Sequence, residues 1–218
     1  MKSYPVIKDR KIKAAIVGCG RISKNHFESI SKHQKNIELV SICDDDESVL
    51  NTHEKKYNIK GYLDLANMIE KVDLDLVILC TPSGLHAEQT ETCAKKGINI
   101  MTEKPMATRW NDGIRMVKVC DQAGVRLFVV KQNRNNPTIK LIKRAIKENR
   151  FGKIHMVHLN VFWSRPQSYY DQASWRGTWE FDGGALMNQA SHYIDLLDWL
   201  IGPIDKVQAM ISTTRDIE

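Results

Sequence analysis

Between residues 14 and 132 the chain alternates short apolar, β-rich runs with stretches of helical spacing. AAIVG (14–18) leads into RISKNHFESISKH, where Ile22, His26, Phe27 and Ile30 recur at helical intervals. IELVSICD (37–44) follows, then a polar helix through Lys56, a helix around LANMIEKV and the run DLVILC (75–80). HAEQTETCAKKG, INIMTE (98–103), NDGIRMVKVCDQAG and VRLFVVKQ (125–132) continue the rhythm. Strands separated by helices require right-handed crossovers and a parallel sheet covered on both faces. The predicted class is α/β, with a doubly wound parallel sheet over residues 1–132.

After Gln132 the rhythm changes. A basic helix (137–149) ends at Gly152, and IHMVHLNVFWSR (154–165) reads as a long strand. An aromatic-rich loop, a helix over 184–200 and a second strand, IDKVQAMISTTR, follow. Two long strands around a helix predict an α+β domain with an open sheet over residues 133–218. Because the chain stops just after a strand, that domain reads as incomplete and the chain as truncated.

Apolar residues make up 42% of the chain, enough for one or two self-sufficient cores. No apolar run approaches the roughly 20 residues that span a bilayer, and the charged start MKSYPVIKDRKIK lacks the apolar stretch of a signal peptide. A cytoplasmic protein without a membrane partner is expected. The five cysteines, at 19, 43, 80, 93 and 120, have no CxxC or zinc spacing and read as reduced, packed thiols. Net charge is +6, with a basic cluster from Lys140 to Lys153. That cluster reads as the solvated face of a helix whose Ile139, Ile142 and Ile146 turn inward. No nucleic-acid partner is expected, since no aromatic-interleaved basic patch accompanies the charge.

VGCGRIS (17–23) places Gly18, Gly20 and Ser23 between the first strand and the next helix, with Arg21 and Ile22 in the loop. In that context Gly18 permits a tight turn and Gly20 lets the backbone approach a pyrophosphate. The helix N-terminus supplies N–H donors and a positive dipole. Asp44, at the end of the second strand, is placed to accept hydrogen bonds from an adenosine ribose. Together these residues predict a Rossmann dinucleotide site. The acidic run Asp44, Asp45, Asp46 and Glu47 disfavours a 2′-phosphate, so NAD is the expected cofactor. Thr81, Pro82 and His86 of CTPSGLH follow the 75–80 strand and are candidates for the nicotinamide side; Pro82 and His86 read equally as helix-starting residues. TEKPMA puts Glu103, Lys104 and Pro105 at the end of the 98–103 strand, where a lysine fixed by a following proline points into a cleft or simply to solvent.

FDGGALMNQASHYIDLLDWL (181–200) carries Asn188 and His192 four residues apart, on one face of the predicted helix. By itself His192 reads as a packed histidine. A metal site is not expected, because no second ligand stands at suitable spacing. Asp195 either orients the His192 ring or faces solvent.

In their order, the fingerprint, CTPSGLH, EKP and WRGTWEFDGGALMNQASHYIDLLDWLIG resemble the Gfo/Idh/MocA family of nicotinamide-dependent sugar and cyclitol oxidoreductases. The last segment is similar to that family's bacterial UDP-N-acetyl-2-amino-2-deoxyglucuronate dehydrogenases. The resemblance implies oxidation of a sugar 3-hydroxyl to a ketone in lipopolysaccharide sugar synthesis, and a homo-oligomer built through the C-terminal sheet. It makes Lys104, Asn188 and His192 the catalytic positions, and Glu103 and Lys104 neighbours of the cofactor. Asn188 departs from the family's Asp and cannot take a proton, which leaves His192 or Lys104 as base. Arg134, Arg165, Trp175, Arg176 and Asn188 are the expected substrate-binding residues, the arginines through fork contacts to a diphosphate or carboxylate. An inositol or free-sugar dehydrogenase is the alternative within the family; a catalytically idle NAD-binding fragment is the alternative outside it.

Overall fold

The computed structural model describes Tyr4 and residues 6–212. It divides into two compact units, Met1–Val130 and Lys131–Glu218.

The first unit holds a six-stranded, all-parallel sheet of β1 (Ile12–Val17), β2 (Ile37–Cys43), β3 (Lys60–Tyr62), β4 (Leu76–Leu79), β5 (Asn99–Thr102) and β6 (Leu127–Val129). The strand order is β3-β2-β1-β4-β5-β6, the doubly wound Rossmann order. The helices are α1 (Ser23–Lys32), α2 (Glu47–Tyr57), α3 (Leu65–Lys71), α4 (His86–Lys95) and α5 (Trp110–Ala123). Alternation along β1 explains why both faces are covered: Ala15 and Val17 enter one core with Met68, Val77 and Leu79, while Ala14 and Ile16 enter another with Phe27, Ile42 and Ile78. β3 has only three residues at the sheet edge, too few for a periodic signal. Because β2 and β4 flank β1, the chain leaves β1 in opposite directions, and the crevice at the C-terminal ends of β1 and β4 is the topological switch point.

The second unit contains α6 (Pro137–Lys147), a short α7 (Gln167–Tyr170), a π-helical turn over Leu186–Ala190 and α8 (Ser191–Ile201). Neither segment expected to be a long strand forms one: 154–165 has no ladder, nor does 204–212, while 213–215 of the second lie outside the described residues. An apolar alternating run becomes a strand only when another backbone pairs with it, and among the described residues none does. Their side chains stand outward, with Met156 85%, Phe162 91% and Met210 96% exposed. The open sheet is therefore corrected to extended, unpaired chain. Of the residues expected to turn inward on α6, Ile139 and Ile146 are half-buried while Ile142 is 36% exposed, so the inward face is narrower than expected. The helix expected over 184–200 forms, but its first turns are widened into the π turn before Ser191.

Candidate active site

At the end of β1 the chain turns at Gly18, whose φ is +85°. A Cβ there would stand 2.8 Å from the backbone of Cys80 and Thr81, so the glycine is required both by its left-handed conformation and by the close approach of the chain leaving β4. Gly20 differs. A Cβ at Gly20 would meet no protein atom within 4 Å, so packing does not ask for a glycine, and the open space lies where the fold would seat a pyrophosphate. Ser23 replaces the third small residue of the fingerprint with a buried hydroxyl that donates to the Gly20 carbonyl at 2.6 Å and closes the loop on α1. α1 begins at Ile22 without a side-chain cap. The Ser23 and Asn25 amides bond the Gly20 and Ile22 carbonyls, at 3.2 and 3.1 Å, and no side chain blocks the approach of an anion to this helix start.

Asp44 sits half-buried just past β2. One carboxylate oxygen accepts the Cys19 amide at 2.6 Å and the other the Asp46 amide at 2.9 Å. These bonds aim the carboxylate over the loop while leaving lone pairs for ribose hydroxyls. Asp46 instead caps α2, accepting from the amides of Ser48 and Val49; the Ser48 hydroxyl and those two amides hold its carboxyl below the usual range. The loop thus fits a dinucleotide by three of its own features, the unfilled space at Gly20, the uncapped start of α1 and the aimed Asp44.

Beyond β4, Thr81 donates its hydroxyl to Gln89 at 2.6 Å, and Pro82 precedes a 3₁₀ turn at Ser83–Leu85. His86, expected to line the cofactor, is fully buried. Its Nδ1 lies 3.0 Å from the Pro105 carbonyl and its Nε2 3.1 Å from that of Thr81, so the ring braces the loop after β4 against the turn after β5. This corrects its assignment, since a ring without exposed surface supports the loops from inside and cannot touch a ligand. Burial pushes the His86 pKa down, against the opposing pull of the two carbonyls, so the ring is neutral and donates to one of them at a time.

The turn after β5 holds Glu103, Lys104 and Pro105, with a cis Lys104–Pro105 peptide. Glu103 is buried; its Oε1 accepts from His26 Nε2 at 2.8 Å, and its Oε2 from the Lys104 amide at 3.2 Å. Burial alone would raise the Glu103 carboxyl, but the hydrogen bond and charge of His26, the Lys104 amide and the Lys104 charge outweigh it and lower the pKa. Glu103 is therefore an anion beneath a half-buried Lys104. His26 was legible only as a helical position, because its partner lies 77 residues away.

In the second unit His192 is buried in the first turn of α8, and Asn188 lies in the π turn before it. The Asn188 amide donates to the buried carboxylate of Asp182, whose other oxygen accepts the Gly177 amide at 2.9 Å. Asp182 was missed in the sequence, although FDGG places it just ahead of the helix. The Asp195 carboxylate does not face solvent, being 9% exposed. It takes the Arg134 guanidinium in a fork, at 2.8 and 2.6 Å, with Lys131 at 3.6 Å. Hydrogen bonding to Asp195 raises the Arg134 pKa further. Two nitrogens of the guanidinium expected to bind substrate are thus engaged by an internal carboxylate, while the Arg134 side chain stays 37% exposed.

Arg165 and Arg176 instead gather about one ring. Their guanidinium carbons lie 5.2 and 4.4 Å from the Tyr169 centroid, and each also approaches a tryptophan, Trp163 at 5.5 Å and Trp175 at 5.4 Å. Arg165 also donates to Gln189 at 3.2 Å. Nε and Nη1 of Arg176 are buried and find no hydrogen-bond partner among the described residues.

Residues 12–131 match the Gfo/Idh/MocA family model, an oxidoreductase family with an NAD-binding Rossmann fold, and 139–218 match the family's C-terminal domain. The chain belongs to the Gfo/Idh/MocA oxidoreductase family. Its first unit is accordingly the family's NAD-binding Rossmann domain. Among solved structures, the WlbA dehydrogenase of Chromobacterium violaceum, in complex with NADH and UDP-GlcNAcA, is 57% identical with a TM-score of 0.97, covering 100% of this chain and 64% of that one. The WlbA dehydrogenase of Bordetella pertussis, with the same two ligands, is also 57% identical, with a TM-score of 0.89 over 91% of this chain and 57% of that one. Among curated relatives, D-apiose dehydrogenase of Paraburkholderia graminis is 28% identical over 93% of this chain and 53% of its own length. The chain therefore spans between about half and two thirds of these relatives. Among the described residues no helix is long and apolar enough to cross a membrane, and no cluster of three or more ligating side chains could hold a metal.

Proposed function

We propose that the protein is an NAD-dependent dehydrogenase that oxidises the 3-hydroxyl of a UDP-linked N-acetylamino-hexuronate to a 3-keto sugar. The observation that carries this reading is the 57% identity, over the whole chain, to a dehydrogenase whose complex holds NADH and UDP-GlcNAcA. The first unit has the role of binding cofactor. Gly18, Gly20, Arg21 and Ile22 cradle the diphosphate, Asp44 takes the ribose, and Thr81, Pro82, Glu103 and Lys104 lie toward the nicotinamide. NAD, when bound, accepts the hydride that leaves the sugar carbon. The protein's own residues must remove the hydroxyl proton and steady the charge that develops on oxygen. Lys104 has an ammonium to donate, and His192 has an imidazole whose ordinary range suits proton transfer near neutral pH. Asn188, tied to Asp182, cannot accept a proton and serves as a fixed polar contact to substrate.

The second unit has the role of reading the sugar. Arg176 and Arg165, gathered with Trp175 about Tyr169, suit a carboxylate, which is the group that separates a hexuronate from a neutral sugar. The same reading puts the protein in the cytoplasm, in surface-polysaccharide synthesis, and in a homo-oligomer whose interface covers exposed apolar side chains such as Met156, Phe162 and Met210. The test is a matrix of NAD and NADP against UDP-N-acetylglucosaminuronate, UDP-N-acetylglucosamine and myo-inositol, followed at the nicotinamide absorbance. Reduction of NAD by the uronate alone is expected. Turnover of inositol without the UDP-sugar would make the protein a cyclitol dehydrogenase instead.

A further inference from the structure

The pairing of His26 with Glu103 joins two parts of the first unit that the sheet keeps apart. His26 stands in the early turns of α1, the helix that opens from the glycine loop after β1. Glu103 follows β5, two strands away in the order β1-β4-β5. The contact is short, 2.8 Å from Nε2 to Oε1, and nearly dry, with side-chain exposures of 12% and 9%. The second carboxylate oxygen holds the Lys104 amide. His26 also rests on a rigid base. Its neighbour Phe27, 3% exposed, stacks on Tyr57 with centroids 4.3 Å apart and rings 5° from parallel, which fixes α1 against α2.

On the reading of Lys104 as a proton-handling residue, we propose that His26 is a positioning residue: by donating Nε2–H to Glu103 it fixes the carboxylate that holds the Lys104 turn, and so couples the cofactor-loop helix to the residue of the reaction. The reason is steric as well as electrostatic. A carboxylate with one oxygen fastened to a rigid helix has a single orientation to offer the Lys104 amide, whereas an unfastened one can rotate away and let the turn drift. Misplacing a reacting group by about 1 Å can cost as much as a hundredfold in rate.

The test uses the whole chain with its lysines reductively ¹³C-methylated, the Lys104 resonance being assigned by its loss in Lys104→Arg, and in parallel kcat and KM with NAD and UDP-N-acetylglucosaminuronate on unmodified protein. In His26→Ala the Lys104 resonance is expected to leave its original position. kcat is expected to fall about ten- to hundredfold, with KM for the sugar changed less than about threefold. His26→Gln, whose amide nitrogen can occupy the place of Nε2, is expected to restore the resonance and bring kcat back to within about threefold. In the double variant His26→Ala/Glu103→Gln the losses are expected not to add, since both remove the same link. A folded His26→Ala protein with the original Lys104 resonance would overturn the proposal, as would a Gln variant no better than Ala. Should the unsubstituted protein fail to oxidise the UDP-sugar, the dehydrogenase reading fails, while the Lys104 resonance still decides the role of His26.

Discussion

Gly18 and Gly20, neighbours in one loop, part company when the space around each is considered. Gly18 answers to the fold: its φ of +85° and the backbone 2.8 Å from a Cβ leave no room for alanine. Gly18→Ala is expected to cost at least about 1–3 kcal/mol in denaturant unfolding, the scale of a non-glycine residue forced into a left-handed conformation. Gly20→Ala is expected to leave stability within about 0.5 kcal/mol and yet weaken NADH binding about tenfold or more in a fluorescence titration, because its methyl group enters the space reserved for the ligand. Equal losses of stability in the two variants would contradict this division. His86 supplies the pH dependence. Its folded pKa lies below the unfolded value, so the native state binds fewer protons. The stability it contributes is complete above the unfolded pKa of about 6.5 and declines as pH falls below it. Unfolding midpoints from pH 7.5 to 5 should therefore fall less steeply in His86→Gln than in the parent protein. The buried thiols make a further test, since burial pushes Cys19, Cys43 and Cys93 up to about 12 and Cys120 to about 11, with Cys80 also raised. Since the thiolate is the reactive form, a disulfide reagent at pH 8 should find almost none of the five until denaturant is added.

Among the elements, the π turn ahead of α8 depends on one carboxylate. Asp182 accepts from Asn188 and from the Gly177 amide, so Asp182→Ala leaves two donors without their partner and is expected to cost about 1–3 kcal/mol. Because all three residues belong to the second unit, NADH affinity should survive while sugar turnover falls; loss of NADH binding would refute that separation. The elements also show what a sequence carries in plain sight. Strands β1 and β4 are legible because a parallel strand buried on both faces is a continuous apolar run, β2, β5 and β6 because short β-rich runs stand between helical stretches, and the glycine loop because its spacing is local. β3 is too short to leave a pattern. The runs at 154–165 and 204–212 have the alternation of strands without becoming strands, since pairing is a property of two segments and alternation of one. Side-chain partners were the least legible: His26 with Glu103, Arg134 with Asp195 and Asn188 with Asp182 are joined only by the fold, at separations of 77, 61 and 6 residues. For that reason Arg134 reads as an unengaged substrate ligand until its carboxylate is seen, and His86 as a cofactor contact until its burial is.

At the scale of the whole molecule, an NAD-binding Rossmann domain is followed by a second unit whose arginines and aromatic rings gather about Tyr169, the place the proposed function gives to an anionic sugar. If the acidic run at the end of β2 sets the choice of cofactor, replacing Asp44 with Ser and Asp45 with Arg raises the ratio of NADP to NAD turnover by about tenfold or more, by removing a repulsive charge and adding an attractive one. The central claim is a hydride moved from carbon 3 of a UDP-linked amino-hexuronate to NAD. Its most direct measurement uses UDP-N-acetylglucosaminuronate deuterated at carbon 3, with the reduced cofactor analysed by mass spectrometry. A hydride taken from carbon 3 gives NADH one mass unit heavier and a sugar product that has lost its label; NADH formed without deuterium, or no NADH from this sugar at all, would rule that transfer out.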